Sequence, residues 1–175
     1  LVVPLNITAV NDTPTITPLA SIAVTEDVPT KLTGLNFGDV DAGTGLITVT
    51  LTVPAGTLSG TSTGLVTVGG TATALTLTGT LADINAFVST GAGVSYQTAL
   101  NANGSVNLSI NINDNGNTGN DPGLTGTATN EQANLVVPLN ITAVNDAPVD
   151  GDETATVTQN QTLNVPVGPN SLLAN

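Results

Sequence analysis

Apolar and polar residues alternate with a period of two along most of this chain. In LITVTLTV, residues 46–53, Ile, Val and Leu alternate with Thr, and Gly, Asn, Asp and Pro separate such stretches from one another. Successive side chains of a strand point to opposite faces, so this alternation predicts half-buried strands and an all-β fold. The predicted strands are Thr15–Thr25, Thr30–Phe37, Leu46–Val53, Ala74–Thr80, Gly93–Gln97, Ser105–Asn113 and Asn134–Val144, with a small additional hairpin over Thr57–Val68.

Only the stretch LADINAFVS, residues 81–89, has helical spacing. Leu81, Ile84 and Val88 fall on one face, and Asp83 is placed to cap the first turn, which predicts a short helix that links two strands. Seven main strands separated by turn residues favour a Greek-key β-sandwich of the cadherin or immunoglobulin kind.

The twelve residues LVVPLNITAVND occur twice, at 1–12 and at 135–146. An odd number of strands that alternate in direction places the two ends of a domain at opposite poles, as in beads on a string. The second copy is therefore predicted to close a complete repeat at 13–146. The first copy, 1–12, is then the last strand and linker of a preceding repeat, and 147–175 is the incomplete start of the next. The period of 134 residues exceeds the roughly 20–50 residues of solenoid repeats, so each repeat is expected to have its own core.

The composition is strongly acidic and chemically sparse. Thirteen Asp and Glu face one basic residue, Lys31, which gives a net charge of −12, and His, Cys, Met and Trp are absent. So acidic a chain repels nucleic-acid phosphates and anionic lipid surfaces. Its apolar runs are also far shorter than the roughly 20 residues that span a bilayer. Nucleic acid and membrane insertion are therefore not expected.

The same scarcity argues against an enzyme. Two carboxylates could in principle serve a glycosidase, but the chain has no His and only 2% aromatic residues with which to hold a sugar. Without Cys, neither a disulfide nor a thiolate metal site can form. Packing or a hard cation must then stabilise the fold.

The remaining candidates for chemistry are carboxylates and amides in the loops. By strand direction, several of them fall at the pole where the chain enters the repeat: Asn11, Asp12, Asp39, Asp41, Asp114 and Asp121. Asp83 falls at the same pole, although its place in the helix cap explains it without a metal. Crowded carboxylates repel one another unless a cation neutralises them. Ca²⁺ takes roughly six to eight oxygen ligands in an adaptable geometry, whereas Mg²⁺ tends to keep several waters. The sequence therefore predicts a calcium site at this pole.

The opposite pole is predicted to carry the complementary half of such a junction. Glu26 and Asp27 end the first strand there, beside Asn145 and Asp146 of the second linker. In the following repeat the aligned stretch is TVTQN, so Gln and Asn at 159–160 stand where the complete repeat has its acidic pair. The following repeat therefore departs from the acidic pattern at this position, so an equal number of ions at every junction is not expected to follow from the sequence.

Several motifs together resemble one family across essentially all of residues 11–146. They are the linkers NDTP and NDAP, then TEDVP, DVDAGTG, LTLTGTLADINA and VSYQTALNANGSVNLSININDNG. In combination they are similar to the cadherin-like tandem repeats of giant bacterial surface adhesins. The resemblance implies calcium-stiffened extender domains, secreted in one step to the cell surface, that carry a ligand-binding domain far from the cell. Their partners would be neighbouring repeats of the same chain, and the present sequence would be an internal piece of a longer protein.

Two other functions fit parts of the sequence. The many Thr-x-Thr stretches suggest a module that binds glycan or ice, although exposed β faces use Thr for its strand propensity alone. The strand-like segment at 1–10 and the piece after Pro148 suggest instead a filament unit that joins copies by strand addition.

Overall fold

A computed structural model describes residues 2–89, 93–121, 130–146 and 158–162. The chain divides into two compact units, Leu1–Val144 and Asn145–Asn175. In the described part, the first unit is an all-β, sandwich-like fold with one short helix. Its elements, in chain order, are β1 (Thr15–Ile16), β2 (Ile22–Thr25), β3 (Thr30–Lys31), β4 (Phe37–Gly38), β5 (Leu46–Thr52), β6 (Thr57–Ser59), β7 (Thr67–Thr71), β8 (Ala74–Thr80), α1 (Leu81–Ser89), β9 (Ser95–Gln97), β10 (Gly104–Asn113) and β11 (Gln132–Thr142).

The largest sheet has six strands in the order β2-β11-β10-β5-β8-β7. All its pairs are antiparallel except β11 with β2, which run parallel with Leu139 opposite Ile22 and Thr142 opposite Thr25. A second sheet has the order β3-β9-β6, and β1 pairs with β4 in a separate two-stranded ladder. The long strand β11 thus lies inside the main sheet, between β10 and β2.

One apolar core joins the sheets and the helix. The inward residues of the six-stranded sheet, such as Val49 and Leu108, are fully buried and belong to the same cluster as Tyr96 of β9. The buried side chains of α1 also join this cluster. Fully buried residues alternate with more accessible ones along β5 and β8, which matches the two-residue period of the sequence. This shared core is what a β-sandwich requires.

The predicted helix is confirmed at 81–89, and a threonine N-cap starts it. Thr80 Oγ1 accepts the backbone N–H of Asp83 at 3.2 Å and donates to Asp83 Oδ2 at 2.6 Å. Thr80 is therefore the N-cap, and Asp83 supports it from the first turn. This pairing occupies a carboxylate that would otherwise be a candidate metal ligand.

Three strand predictions are wrong in their continuity or pairing. Residues 15–25 form two strands rather than one, because β1 pairs with β4 while β2 joins the main sheet. Residues 30–37 divide in the same way between β3 and β4. The predicted hairpin at 57–68 does not form, because β6 pairs with β9 whereas β7 pairs with β8.

Residues 2–9 form neither strand nor helix, and all of them are exposed. The following residue, Val10, makes an isolated parallel bridge to Asn120. This segment has the same sequence as residues 136–143, most of which lie in β11. One sequence therefore occurs in two different environments.

In the second unit, the described residues 158–162 form a turn in which the Gln161 N–H donates to the Thr158 carbonyl at 3.0 Å. Asn160 has a positive φ of 68°, and Asp27 in the first unit has a φ of 60°. Asp and Asn tolerate this left-handed conformation better than most residues. The shared positive φ of Asp27 and Asn160 supports the alignment of residues 159–160 with Glu26 and Asp27.

Candidate metal centre

Polar loop residues collect at the pole of the first unit where residues 11 and 12 join the sandwich. We call it the linker pole. The β4–β5 loop reaches it from one side, and the end of β10 and the start of β11 reach it from the other. Its residues are Asn11, Asp12, Asp39, Asp41, Asp114 and Glu131.

The β4–β5 loop folds around the Asp39 carboxylate. Asp39 Oδ1 accepts the backbone N–H groups of Asp41 and Ala42, both at 3.1 Å. Such an Asx turn places the two carboxylates, two residues apart, beside one another. Gly43, at a φ of 53°, allows the backbone to turn directly after them.

The β10–β11 side of the pole is held by Asp114, which is 0% exposed. Asp114 Oδ1 accepts the N–H groups of Gly116 at 2.9 Å and Glu131 at 2.8 Å, and Asp114 Oδ2 accepts the Asn11 side-chain amide. Glu131 is also 0% exposed, and its Oε2 accepts the Thr13 hydroxyl at 3.3 Å. Two buried carboxylates thus lie where two adjacent strands meet the linker.

The linker backbone connects the two sides. The Asn11 N–H donates to the Asn120 carbonyl at 2.9 Å, and the Asn120 N–H donates to the Ala9 carbonyl at 2.9 Å. The next residue, Asp12, donates its N–H to Asp41 Oδ2 at 2.9 Å. Adjacent linker residues therefore bind Asp114 on one side and Asp41 on the other.

The electrostatics of the pole favour a cation. Asp39 Oδ2 and Asp41 Oδ1 are buried and have no hydrogen-bond partner among the described residues. The chain's only basic residue, Lys31, donates from Nζ to the Gly93 carbonyl at 3.2 Å. Buried carboxylate oxygens without a donor are costly, and a hard cation satisfies them.

Burial raises the pKa of Asp39 to about 6 from its ordinary value of 3.8. The Asp41 carboxyl adds to the rise, because the two carboxyls share a hydrogen bond when one is protonated and repel one another when both are ionised. The backbone N–H groups of Asp41 and Ala42 oppose it. Near neutral pH the ionised pair is therefore strained in the metal-free protein.

We expect this strain to appear as a pH dependence of stability. Folded Asp39 binds its proton with a pKa of about 6 and unfolded Asp39 with one near 3.8, so the folded state carries more protons between these values. The stability contributed by this group is then fully present below the unfolded pKa and is lost as pH rises through the folded pKa. In EGTA, raising the pH from about 4 to about 7 should lower the melting temperature more for the wild type than for Asp39→Asn. Identical pH profiles would contradict this assignment.

The opposite pole lies where β11 ends beside β2. The Glu26 N–H donates to the Thr142 carbonyl at 3.0 Å, and Glu26 Oε2 accepts the Val144 N–H at 3.1 Å. Glu26 is buried, and its Oε1 has no hydrogen-bond partner among the described residues, whereas Asp27 is exposed. Asp146 follows Val144 by two residues, and Glu26, Asp27 and Asp146 are acidic residues that could hold a metal ion.

The structure places the predicted residues as follows. Asn11, Asp12, Asp39, Asp41 and Asp114 meet at the linker pole through the contacts given above. Asp121 is exposed and directly follows Asn120, which pairs with the linker. Glu26 and Asp27 lie at the opposite pole, and Asn145 and Asp146 are exposed residues of the second unit.

Glu131 is a candidate ligand that the sequence interpretation missed. It directly precedes β11, and its backbone pairs with Asp114, because the Asp114 N–H donates to the Glu131 carbonyl at 3.2 Å. A signal was present, since pairing the two long predicted strands 105–113 and 134–144 places the residues that flank them opposite one another. Glu131 lies a few residues before the second of these strands, so this pairing would have placed it in the region of Asp114.

Comparison with protein-family models, curated proteins and solved structures found no match to this chain. Within the described residues, no helix is both long enough and apolar enough to cross a membrane.

Proposed function

We propose that this chain is a calcium-rigidified spacer repeat of a bacterial cell-surface adhesin, built as a cadherin-like Greek-key sandwich. In this role it is extracellular and non-catalytic. It holds a binding domain away from the cell, and its chemistry is confined to the points where one repeat follows another.

The observation that carries the proposal is the linker pole. Asp39 Oδ2 and Asp41 Oδ1 are buried without a hydrogen-bond donor, and Asp41 also binds the linker backbone at Asp12. Oxygen ligands of this kind suit Ca²⁺, which accepts carboxylates and amide carbonyls in a flexible arrangement. The carboxylates that would bind the ion are Asp39 and Asp41, whose donorless oxygens are buried. Asn11, Asp12, Asp114 and Glu131 line the same pole and hold the linker beside them.

Calcium at this pole would fix the direction in which the linker leaves the sandwich. Without a cation, the ionised carboxylates repel one another. This repulsion weakens the hydrogen bond from the Asp12 N–H to Asp41 Oδ2 that holds the linker. A divalent ion between the carboxylates replaces their mutual repulsion with attraction to the ion. It also adds its own contacts to both sides of the linker. A series of repeats joined by such linkers would behave as a rod rather than a flexible string.

Two further observations support a repetitive protein. The linker sequence LVVPLNITAVND occurs at both ends of the complete sandwich. The turn at 159–160 also has the left-handed residue found at Asp27 of the first unit. Both are expected if the second unit begins another copy of the first.

Small-angle scattering of a chain in which residues 11–144 occur twice in tandem tests the spacer function. With Ca²⁺ the maximum dimension should match two sandwiches in a fixed row, and with EGTA the distribution of distances should broaden and shorten. Mg²⁺ in place of Ca²⁺ is the matched control and should not restore the extended form. A scattering profile that does not change with EGTA would contradict the proposal.

A further inference from the structure

The outer face of the six-stranded sheet carries no charge. None of its strands, β2, β5, β7, β8, β10 and β11, contains a charged residue. The acidic residues of the first unit lie instead in the loops and at the start of α1. Charged residues usually make up about 25% of a soluble domain. In a chain of net charge −12, this face is therefore a neutral polar surface, made mainly of Thr, Ser and Asn side chains.

A groove runs across the middle of this face. In the cross-strand register, Ser109 of β10 lies opposite Thr52 of β5 on one side and Val136 of β11 on the other. Serine is shorter than both neighbours, so the face dips at β10. The open groove has a volume of about 370 Å³, within the range of roughly 300–1,000 Å³ that small-ligand sites occupy. Its lining includes Thr50, Thr52, Ser109, Asn111, Asn134 and Val136.

Two side-chain amides in the groove are held in a fixed arrangement. Asn111 Nδ2 donates to Asn134 Oδ1 and to Gln132 Oε1, both at 3.0 Å. These bonds use both N–H groups of the Asn111 amide and leave its carbonyl oxygen as an acceptor. They also leave the Asn134 amide N–H groups as donors, and neither group has a hydrogen-bond partner among the described residues. Adjacent strands thus present an acceptor and a donor side by side.

The chemistry of the groove excludes most classes of ligand. Among the described residues, no basic side chain lines it to attract an anion, and no carboxylate lines it to bind a metal ion. A purely apolar ligand would take water away from the hydroxyl and amide groups and leave them without partners, which is unfavourable. The groove therefore suits an uncharged ligand that carries several hydrogen-bonding groups of its own.

We propose that this groove binds a neutral saccharide. A sugar hydroxyl both donates and accepts, so two neighbouring hydroxyls can bind the Asn111 carbonyl and the Asn134 amide at once. Further hydroxyls pair with the Ser and Thr hydroxyl groups of the lining. The C–H groups of the sugar ring pack against Val136, which is 54% exposed in the free protein.

The affinity of a single groove should be low. Ligand sites often use aromatic side chains for contact area, but the aromatic residues of this chain, Phe37, Phe87 and Tyr96, are buried in the core and do not line the groove. A dissociation constant on the order of millimolar is therefore expected. The site adds to the spacer role, whose chemistry lies at the junctions. It is also independent of calcium, because no residue of the linker pole lines it.

Nuclear magnetic resonance of the full ¹⁵N-labelled chain tests the proposal, with maltose, cellobiose and lactose as probes. We expect at least one of these disaccharides to shift the side-chain amide signals of Asn111 and Asn134 in a saturable way, with half-saturation on the order of millimolar. Glycerol at the same concentration of hydroxyl groups is the control probe. It should give no saturable shift, because it cannot occupy the whole groove.

Two variants test the groove itself, with circular dichroism to verify that each is folded. Ser109→Leu fills the dip at β10 and should weaken binding by at least about tenfold. Asn134→Asp keeps the acceptor for Asn111 Nδ2 but removes the N–H donors, so it should also weaken binding. Thr78→Leu is the matched control and should bind like the wild type, because Thr78 lies on the same face, opposite Thr48, but outside the groove.

The proposal is overturned if none of the three disaccharides gives a saturable shift up to about 100 mM, or if folded Ser109→Leu binds as tightly as the wild type. It is also overturned if the Asn111 and Asn134 signals shift with protein concentration in the absence of sugar. That result would assign the face to contact between copies of the chain.

Discussion

Replacing Asp114 with alanine is expected to lower the free energy of unfolding by about 3 kcal/mol or more, because it removes the acceptor of several buried donors. Asp114 is fully buried and receives hydrogen bonds from the Gly116 and Glu131 backbones and from the Asn11 side chain. Alanine leaves these donors without an acceptor and detaches the linker from the start of β11. For a chain of 175 residues, a loss of this size lowers the melting temperature by roughly 10 °C.

Thermal melts in EGTA measure this effect without any contribution from bound metal. Asp121→Ala is the control, since Asp121 is an exposed acidic residue a few positions further along the chain. Exposed substitutions usually change stability by no more than about 0.5 kcal/mol. If Asp114→Ala melts within about 2 °C of the wild type, Asp114 does not hold the linker pole together.

Calcium is expected to raise the melting temperature by about 10 °C when the free ion is near a thousand times its dissociation constant. An ion that binds only the folded state adds about 4 kcal/mol at that ratio, and each kcal/mol corresponds to roughly 2–4 °C for a chain of this size. The ion should also remove the repulsion between Asp39 and Asp41, so the pH dependence described for the metal-free protein should disappear in calcium.

The Asp39→Asn variant should separate the unfavourable burial of the Asp39 charge from the contribution of Asp39 to ion binding. In EGTA near pH 7 it is expected to melt at or above the wild-type temperature, because it removes an ionised group whose burial is unfavourable. In calcium it should gain less stability than the wild type, because a ligand has been lost. If EGTA does not change the wild-type melting temperature, the metal assignment is wrong.

The sequence predicted the long, regular elements of the fold well. The bounds of β8 and α1 agree with the prediction, and β5, β10 and β11 differ from it by at most two residues at either end. In each of these segments the hydrophobic period repeats several times, so hydrophobic spacing alone defines the element. Strand direction also predicted that Asn11, Asp12, Asp39, Asp41 and Asp114 share a pole, but it did not identify Glu131.

The short strands could not be predicted from alternation, because alternation does not say which strand a segment pairs with. Residues 15–25 were predicted as one strand, but Pro18 interrupts the segment between β1 and β2, and the two halves join different sheets. Residues 57–68 contain two strands with the expected pattern, yet their partners are β9 and β8. Long-range pairing decides these cases.

Calorimetric titration of the full chain with CaCl₂ at pH 7 tests the central claim most directly. The wild type and Asp83→Asn should bind the same number of ions, since Asp83 is engaged in the helix cap. Asp39→Asn/Asp41→Asn should bind at least one ion fewer. A double variant that binds as many ions as the wild type, or a wild type that releases no heat of binding, would contradict a calcium site at the linker pole.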